Sequence, residues 1–490
     1  MGAGRSRPLD TDPRCATLAP VWSPFVDAFV DTLHAGGAAV HPPPPRSGGR
    51  GSAASSSSPS ASRLAAAHAS RSPGAPGPVS RPAVARLVAI GDLHGDLGKA
   101  RDAFRAGGLV DERGRWCGGS TVAVQVGDQL DRGGDEIAIL YMLERLRKEA
   151  RDAGGELIVM NGNHETLNAA GRFRYATSEG GEDFRRWRGR QLLGAAMKRA
   201  CGEKPGQCTI LGADAAADAV ERGRRGYPIA PPPRPRGVPD PDPGRRTPPV
   251  GEANAAEEKN LGARMKKRRP AGPPAGSSAL RLHAERAEGS WMPRLAALAP
   301  GGPIARRFLA HQPVVLQVGS TVFAHGGVLE RHASYGLDRV NAETATWMRG
   351  GGSGGGSSGS SLSSPSSSGG GGGGLHPPPA HVQGADSVVW TRAYSLPEPL
   401  RCDCGALEAA LASVPGAARV VVGHTIQGPA GVNAACGGRA IRVDVGMSAG
   451  CGDAPAEVLE ILDDGRGGMA RMRWDPARGE AVREPVPGVG

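Results

Sequence analysis

Five short segments carry residues whose types could do chemistry together: Gly91-Asp92-Leu93-His94-Gly95, Gly127-Asp128-Gln129-Leu130-Asp131-Arg132-Gly133, Gly162-Asn163-His164-Glu165, Ala324-His325-Gly326-Gly327 and Gly423-His424-Thr425. Their donors are oxygen and imidazole without thiolate, a set that suits divalent Mn, Fe or Zn. Asp92 and His94 stand two apart, so on a turning loop both can face one ion. Asp128 can bridge to a second ion, which Asn163, His325 and His424 would complete. A neutral Asn in place of another carboxylate leaves net positive charge for an anionic substrate. Two ions about 3.5–4 Å apart can hold and acidify a water between them while polarising phosphate oxygens, which yields a hydroxide facing phosphorus. His164 is placed to protonate a leaving alkoxide, with Asp131 orienting it and raising its basicity. Arg132 offers a planar fork to phosphate oxygens.

The elements that must position these residues are legible around them. Leu87–Ile90, Val122–Val126, Leu157–Met160, Thr321–Phe323 and Val420–Val422 are apolar, mostly β-branched runs bounded by glycine, as buried strands should be. The candidate ligands therefore sit at strand ends, where loops of an open α/β sheet converge on one crevice. Asp96 to Ala106, closed by Gly107-Gly108, reads as the crossover helix after the first strand. Asp135 to Ala153 reads as the next, acidic at its start and basic near its end, with Ile137, Leu140, Leu143 and Leu146 expected against the sheet. Near the N-terminus, Ser23 can cap and Pro24 can start a helix over Val21–Leu33. Trp22, Phe25, Val26, Phe29, Val30 and Leu33 would form its apolar stripe, with Asp27 and Asp31 facing away. That helix is expected to dock on the catalytic domain, and its functional version is a segment that binds a regulatory partner.

The order and wording of the motifs resemble the phosphoprotein phosphatase superfamily of calcineurin-like metallophosphoesterases, and within it the Shewanella-like branch. The likeness rests on Gly127 to Glu136, Met160-Asn161-Gly162-Asn163-His164-Glu165, Phe173-Arg174-Tyr175, Gly301 to Ala305, Tyr335-Gly336-Leu337 and the stretch Arg401 to Cys451. It covers roughly 84–215 and 288–475. The N-terminal helix with Cys15 before it resembles the non-plastid subgroup of the plant and algal members. The resemblance implies an α/β fold with two central β-sheets flanked by helices, an α/β/α sandwich. It implies metal ligands at Asp92, His94, Asp128, Asn163, His325 and His424, phosphate contacts at Arg132 and Arg392, and an acid at His164. Arg392, in Val388-Val389-Trp390-Thr391-Arg392, is thus the candidate second guanidinium. Animal-type relatives end in a toxin-binding Ser-Ala-Pro-Asn-Tyr-Cys segment where this chain reads Arg442 to Ser448, so resistance to microcystin and okadaic acid is expected. Phosphodiesterase relatives carry Gly-His-x-His where this chain has Gly423-His424-Thr425-Ile426, which favours a phosphomonoesterase of phosphorylated proteins.

Composition fits such an enzyme padded by low-complexity segments. With 76 Gly, 43 Pro and 4% aromatic residues in 490, one catalytic domain is a better count than three. The expected plan is an N-terminal segment over 1–35, a disordered linker over 36–83, the phosphoesterase domain over 84–475, and a disordered tail over 476–490. Insertions at about 222–280 and 350–385 interrupt the domain, the second almost pure Gly and Ser at its start. The net charge of +11 lies largely in these segments and lacks interleaved aromatics, so no nucleic-acid partner is expected. No stretch approaches 18 apolar residues, so no integral membrane segment is expected. A cytoplasmic enzyme follows, nuclear if Lys266 to Arg269 acts as a signal; Met1-Gly2 with Ser6 also fits a myristoylation pattern. Eight cysteines in a chain this long point to a reduced compartment, while Cys402-Asp403-Cys404 with Cys436 and Cys451 could form a redox-sensitive pair or, less readily, hold zinc. Two other readings stay open: a nucleotide phosphohydrolase such as a dinucleoside polyphosphate hydrolase, and a noncatalytic phospho-binding scaffold.

Overall fold

The valine-rich runs become two six-stranded sheets in a computed structural model that describes residues 13–34, 79–200, 291–351, 377–396, 402–475 and 477–489. The first sheet has β2 (Arg86–Ile90), β3 (Val122–Gln125) and β4 (Glu156–Val159) in parallel. β10 (Glu457–Leu462), β11 (Met469–Asp475) and β12 (Glu480–Pro485) extend it antiparallel beyond β2. The second sheet runs in the order β1 (Ser80–Arg81), β5 (Val315–Val318), β6 (Thr321–Ala324), β7 (Arg419–Val422), β9 (Ala440–Arg442) and β8 (Asn433–Ala435). β6, β7 and β9 are parallel. Each sheet thus joins strands from both sides of the proposed insertions, so neither half of the chain can complete a sheet alone.

The apolar faces of the two sheets share one core, in which Val88, Ile90 and Val124 meet Leu316, Phe323, Val421 and Ile441. Helices cover the outer faces. α1 (Pro13–His34), α2 (Leu97–Ala106), α3 (Glu136–Asp152), α4 (Asn163–Ala169) and α5 (Ser178–Ala200) precede the fifth strand. α6 (291–298) and α7 (Pro303–Arg307) follow, then α8 (Glu330–Tyr335), α9 (Leu337–Met348) and α10 (Cys404–Ala412). Asp96 caps α2 by accepting from the Lys99 N–H, as the sequence pattern requires. On α3 the expected stripe divides. Leu143 and Leu146 join the sheet core, whereas Ile137 and Leu140 turn to a second cluster with Phe184, Leu298 and Phe308. The helix is sandwiched between sheet and helices, so apolar residues serve both faces.

α1 corrects the expected N-terminal helix in two ways. It begins at Pro13, so Ser23 does not cap it and Pro24 lies inside it. Its buried face is Val26, Val30 and His34, while Phe25 and Phe29 are exposed. Asp27 and Asp31 do not face away: Asp27 pairs with Lys198 and Asp31 with Arg307. A Cβ on Gly194 would come within 2.8 Å of the Val30 side chain, so the glycine lets α1 settle against α5.

The boundaries also shift. Val79 is buried and Ser80–Arg81 pair with β5, so the linker ends before 79 rather than at 83. β12 pairs along β11 and Val486 is buried, so the tail is a sheet strand, not disordered. Pro379, His381 and Val382 are buried, so packed chain resumes by 379 rather than after 385. The expected insertion at 222–280 and the basic run Lys266 to Arg269 lie outside the described residues. No helix among the described residues is long and apolar enough to cross a membrane.

Candidate metal centre and active site

The loops leaving β2, β3, β4, β6 and β7 bring Asp92, His94, Asp128, Asn163, His325 and His424 together, as the motif order requires. Glycine is needed at the strand ends because the backbone runs directly beneath the carboxylates. A Cβ on Gly162 would lie 2.1 Å from Asp128 Oδ1 and one on Gly423 would lie 2.4 Å from Asp92 Oδ1. His94, Asp128, Asp131, Arg132 and His424 all have φ between 44° and 68°, left-handed backbone that side-chain-bearing residues rarely adopt. Strain concentrated at these positions is held in place by the loops' hydrogen bonds. Glu165 does much of that holding: its buried carboxylate accepts the N–H groups of Gly162, Asp128, Gln129 and Leu130. Glu165 has no role assigned from the sequence alone, although a carboxylate directly after the Gly162-Asn163-His164 motif was the available signal.

Asp128 is the hub. Its Oδ2 lies 3.1 Å from His325 Nε2, 3.7 Å from His94 Nε2 and 3.7 Å from His164 Nε2. His325 Nε2 is also 2.8 Å from Asn163 Oδ1. Asp92 Oδ2 is 3.9 Å from His94 Nε2. The Nδ1 atoms of His94 and His325 lie 3.0 and 3.1 Å from the carbonyls of Leu130 and Val126, which frees Nε2 as the lone-pair donor in each ring. Two overlapping donor groups result, His94–Asp128–His164 and Asp128–His325–His424, sharing Asp128.

Three observations fit this set to two cations. His424 Nε2 is buried and meets no hydrogen-bond partner, an orphan that a metal would satisfy. Asp92, Asp128, Glu165 and Asp444 crowd into the same buried space, and burial with Asp444 and Asp128 beside it pushes the Asp92 carboxyl well above its usual range. A cation there would reverse that. Burial and the neighbouring His164 hold His94 down to about 3, and burial with Arg392 nearby pushes His424 well below its usual value, so both rings are neutral donors.

His164 differs. Burial opposes its charge, but the Asp128 and Asp131 carboxylates more than offset that and raise it above its ordinary value. Its Nδ1 sits 2.6 Å from Asp131 Oδ2. A division of labour between metal ligands and a proton donor would need histidines driven apart in this way.

A narrow cavity of about 40 Å³ opens over the donors, lined by Arg132, Arg392, Tyr175, Trp390, Asp444 and Cys451 among others. Arg392 therefore reaches the site as expected. Tyr175 packs on His164 and Trp390 edge-on to His424, with ring centroids 4.9 and 5.4 Å apart. The Arg132 guanidinium lies 5.0 Å over the Tyr175 ring. Sequence reasoning quoted Tyr175, Trp390 and Asp444 only as parts of longer motifs. It missed Arg294 altogether, a fully buried residue of α6 whose fork reaches Asp131, Glu136 and Asn168. The redox-sensitive pair offered for these cysteines falls to Cys404 and Cys436, which form a disulfide and so leave neither sulfur as a thiolate for zinc.

Strand-end carboxylates, an amide and imidazoles converging between two sheets define a calcineurin-like phosphoesterase. The family model of that description matches residues 85–205. Shewanella-like protein phosphatase 2 of Arabidopsis thaliana is 41% identical over 379 residues, spanning 77% of this chain and 75% of that one. Shewanella-like protein phosphatase 1 of Plasmodium berghei is 37% identical over 99 residues, 20% of this chain and 27% of its own. A solved structure of a cold-active protein-tyrosine phosphatase from a psychrophilic Shewanella aligns at 16% identity over 84% of this chain and 83% of its own, with a TM-score of 0.44. The chain belongs to the Shewanella-like protein phosphatase family and is a metal-dependent protein phosphatase.

Proposed function

We propose that the enzyme hydrolyses phosphomonoesters with a preference for phosphotyrosine. In this reading Asp92, His94 and Asp128 hold one divalent ion, and Asp128, Asn163, His325 and His424 the other. Mn, Fe and Zn all suit the donors. When bound, such a pair polarises phosphoryl oxygens and acidifies water. Arg132 and Arg392 bind and orient the phosphate from the cavity wall, each as a planar fork. His164, held by Asp131, gives its Nε2 proton to the leaving oxygen. The single catalytic unit is supported by strands from both ends of the chain sharing each sheet.

The observation that carries the substrate preference is the pair of rings, Tyr175 against His164 and Trp390 against His424, which wall the mouth above the donors. The Arg174 guanidinium lies between the two rings, 4.6 Å from the Tyr175 centroid and 5.8 Å from that of Trp390, so a phosphotyrosine ring would meet them beside it, each offset or edge contact worth about 0.5–1.5 kcal/mol that a phosphothreonine cannot make. A dinucleoside polyphosphate is a poorer fit, because the cavity is narrow and two arginines serve one phosphate.

The test is hydrolysis of matched phosphotyrosine and phosphothreonine peptides by metal-stripped protein, with and without manganese, beside an Asp128→Asn control. Manganese-dependent release abolished in the control is expected, with kcat/KM about tenfold or more in favour of phosphotyrosine. Equal rates on the two peptides would remove the preference. Cleavage of dinucleoside polyphosphates alone would replace the phosphoprotein reading.

A further inference from the structure

We infer that Arg294 is a positioning residue for the leaving-group acid, holding the Asp131–His164 pair in register from a fully buried seat outside the metal donors. The inference rests on the proposed role of His164.

The guanidinium of Arg294 has no exposed surface. Its Nη2 donates to Asp131 Oδ1 and to Glu136 Oε1, each at 2.8 Å. Nη1 donates to Glu136 Oε2, and Nε donates to Asn168 Oδ1 at 2.8 Å. Asn168 in turn donates to the carbonyl of His164 at 2.9 Å, and Glu136 accepts the N–H of Asp131. One planar fork thus fixes the Asp131 side chain directly, its backbone through Glu136, and the His164 backbone through Asn168. Asp131 Oδ1 points to Arg294 while Oδ2 points to His164 Nδ1, so the carboxylate cannot rotate without breaking a charge-assisted bond.

The seat is built for a guanidinium. Phe184 lies 4.7 Å and Phe173 5.7 Å from its central carbon, and Phe173 stacks on Trp291 one turn earlier on α6. A Cβ on Gly180 would meet Glu136 Oε2 at 2.8 Å and Arg294 Nη1 at 3.3 Å, so glycine keeps the space open. Burying a charge pair this completely is rarely worth its desolvation cost for stability alone, whereas it can fix geometry.

The consequence lies in bond breaking. Water oxygen forms the new P–O bond as the ester P–O bond breaks, the bonding pair stays on the leaving oxygen, and that oxygen takes the Nε2 proton of His164. A misaligned imidazole slows this step only where the leaving oxygen needs the proton. Phenyl phosphate does; 2,4-dinitrophenyl phosphate leaves as the anion.

Full-length manganese-loaded enzyme carrying Arg294→Lys tests this. So does the double variant Arg294→Met with Glu136→Gln, which neutralises Glu136 as its guanidinium partner is removed and leaves Asp131 paired with His164. For both, kcat on phenyl phosphate is expected to fall about 10–100-fold, as for other partners that orient a functional side chain. Over the same series kcat on the dinitrophenyl ester, KM and bound manganese change less than about threefold. Arg294→Lys, which keeps the charge without the fork, should lose less than the double variant. His164→Asn is measured in parallel. If it is selective for phenyl phosphate and the Arg294 variants lower both substrates equally or neither, the positioning role is wrong. If His164→Asn is itself unselective, the acid assignment fails and the inference falls with it.

Discussion

At the scale of single residues the site is made by backbone as much as by donors. Asp128 reaches His325, His94 and His164 because its own φ of 57° turns the carboxylate back over the strand end, where Glu165 accepts its N–H. Gly162 is the floor under that carboxylate. Gly162→Ala would set a methyl 2.1 Å from Asp128 Oδ1, and because that side chain also accepts the His164 N–H it cannot swing aside. The expected result is a fall of at least about tenfold in manganese affinity, read by titration of stripped protein, with far-UV circular dichroism unchanged. Retention of wild-type affinity would show that the loop relaxes and that the glycine is a local turn only. The proposed metal donors were legible in the sequence because they stand in five short motifs, each at the end of an apolar run. Arg294 was not, because nothing in Trp291-Met292-Pro293-Arg294 announces chemistry and its partners lie more than 120 residues away. Glu136, a carboxylate at a buried helix start, was the hint that a buried cation should exist.

At the scale of elements, strands and crossover helices followed from local patterns, while α1 shows where periodicity misleads. Both Val26/Val30 and Phe25/Phe29 recur at helical spacing, and only the partner surface decides which pair is buried. The smaller valines fit over Gly194 and the rings are left outside. His34 closes the docked face, with Arg190 Nη1 and Gln191 Nε2 at 3.3 and 3.1 Å from its ring nitrogens. Burial, then the Arg190 charge, lowers it to about 4. The docked state therefore binds fewer protons than the undocked one, whose His34 titrates near 6.5. Docking is at full strength above pH 6.5 and weakens as pH falls from there to about 4, by up to about 3 kcal/mol. Limited proteolysis across this window should release α1 progressively at the acid end. His34→Gln should flatten the response. An acid-insensitive α1 would mean that Asp27–Lys198 and Asp31–Arg307 dominate the docking.

At the scale of the whole molecule, two sheets are assembled from widely separated stretches, and the Cys404–Cys436 disulfide fastens a helix to the edge of the second. Cys404 starts α10 and Cys436 follows β8 at the edge of the second sheet. The start of α10 is joined to the segment after the Trp390–Arg392 turn as well, since Asp403 N–H donates to the Ala393 carbonyl. Composition alone argued for free thiols, because a long chain with a large core has no general need of covalent bridges. Pairing depends on which loops meet, and that is a property of the finished sheet. Cys402 lies 3.3 Å from the Cys436 sulfur but is not bonded to it, and Cys451 is buried on the cavity wall. With the bonded cysteines at a sequence separation of 32, opening the bridge should lower unfolding stability by about 3–4 kcal/mol through the loop entropy returned to the unfolded chain. Denaturant unfolding with and without reductant measures this, and peptide mapping without reduction should recover Cys404 joined to Cys436 and Cys451 as a free thiol. Cys402→Ser should leave both results in place. A bridge found instead between Cys402 and Cys436, or no change on reduction, would mean that this edge of the sheet is held by its hydrogen bonds and that the disulfide is incidental to it.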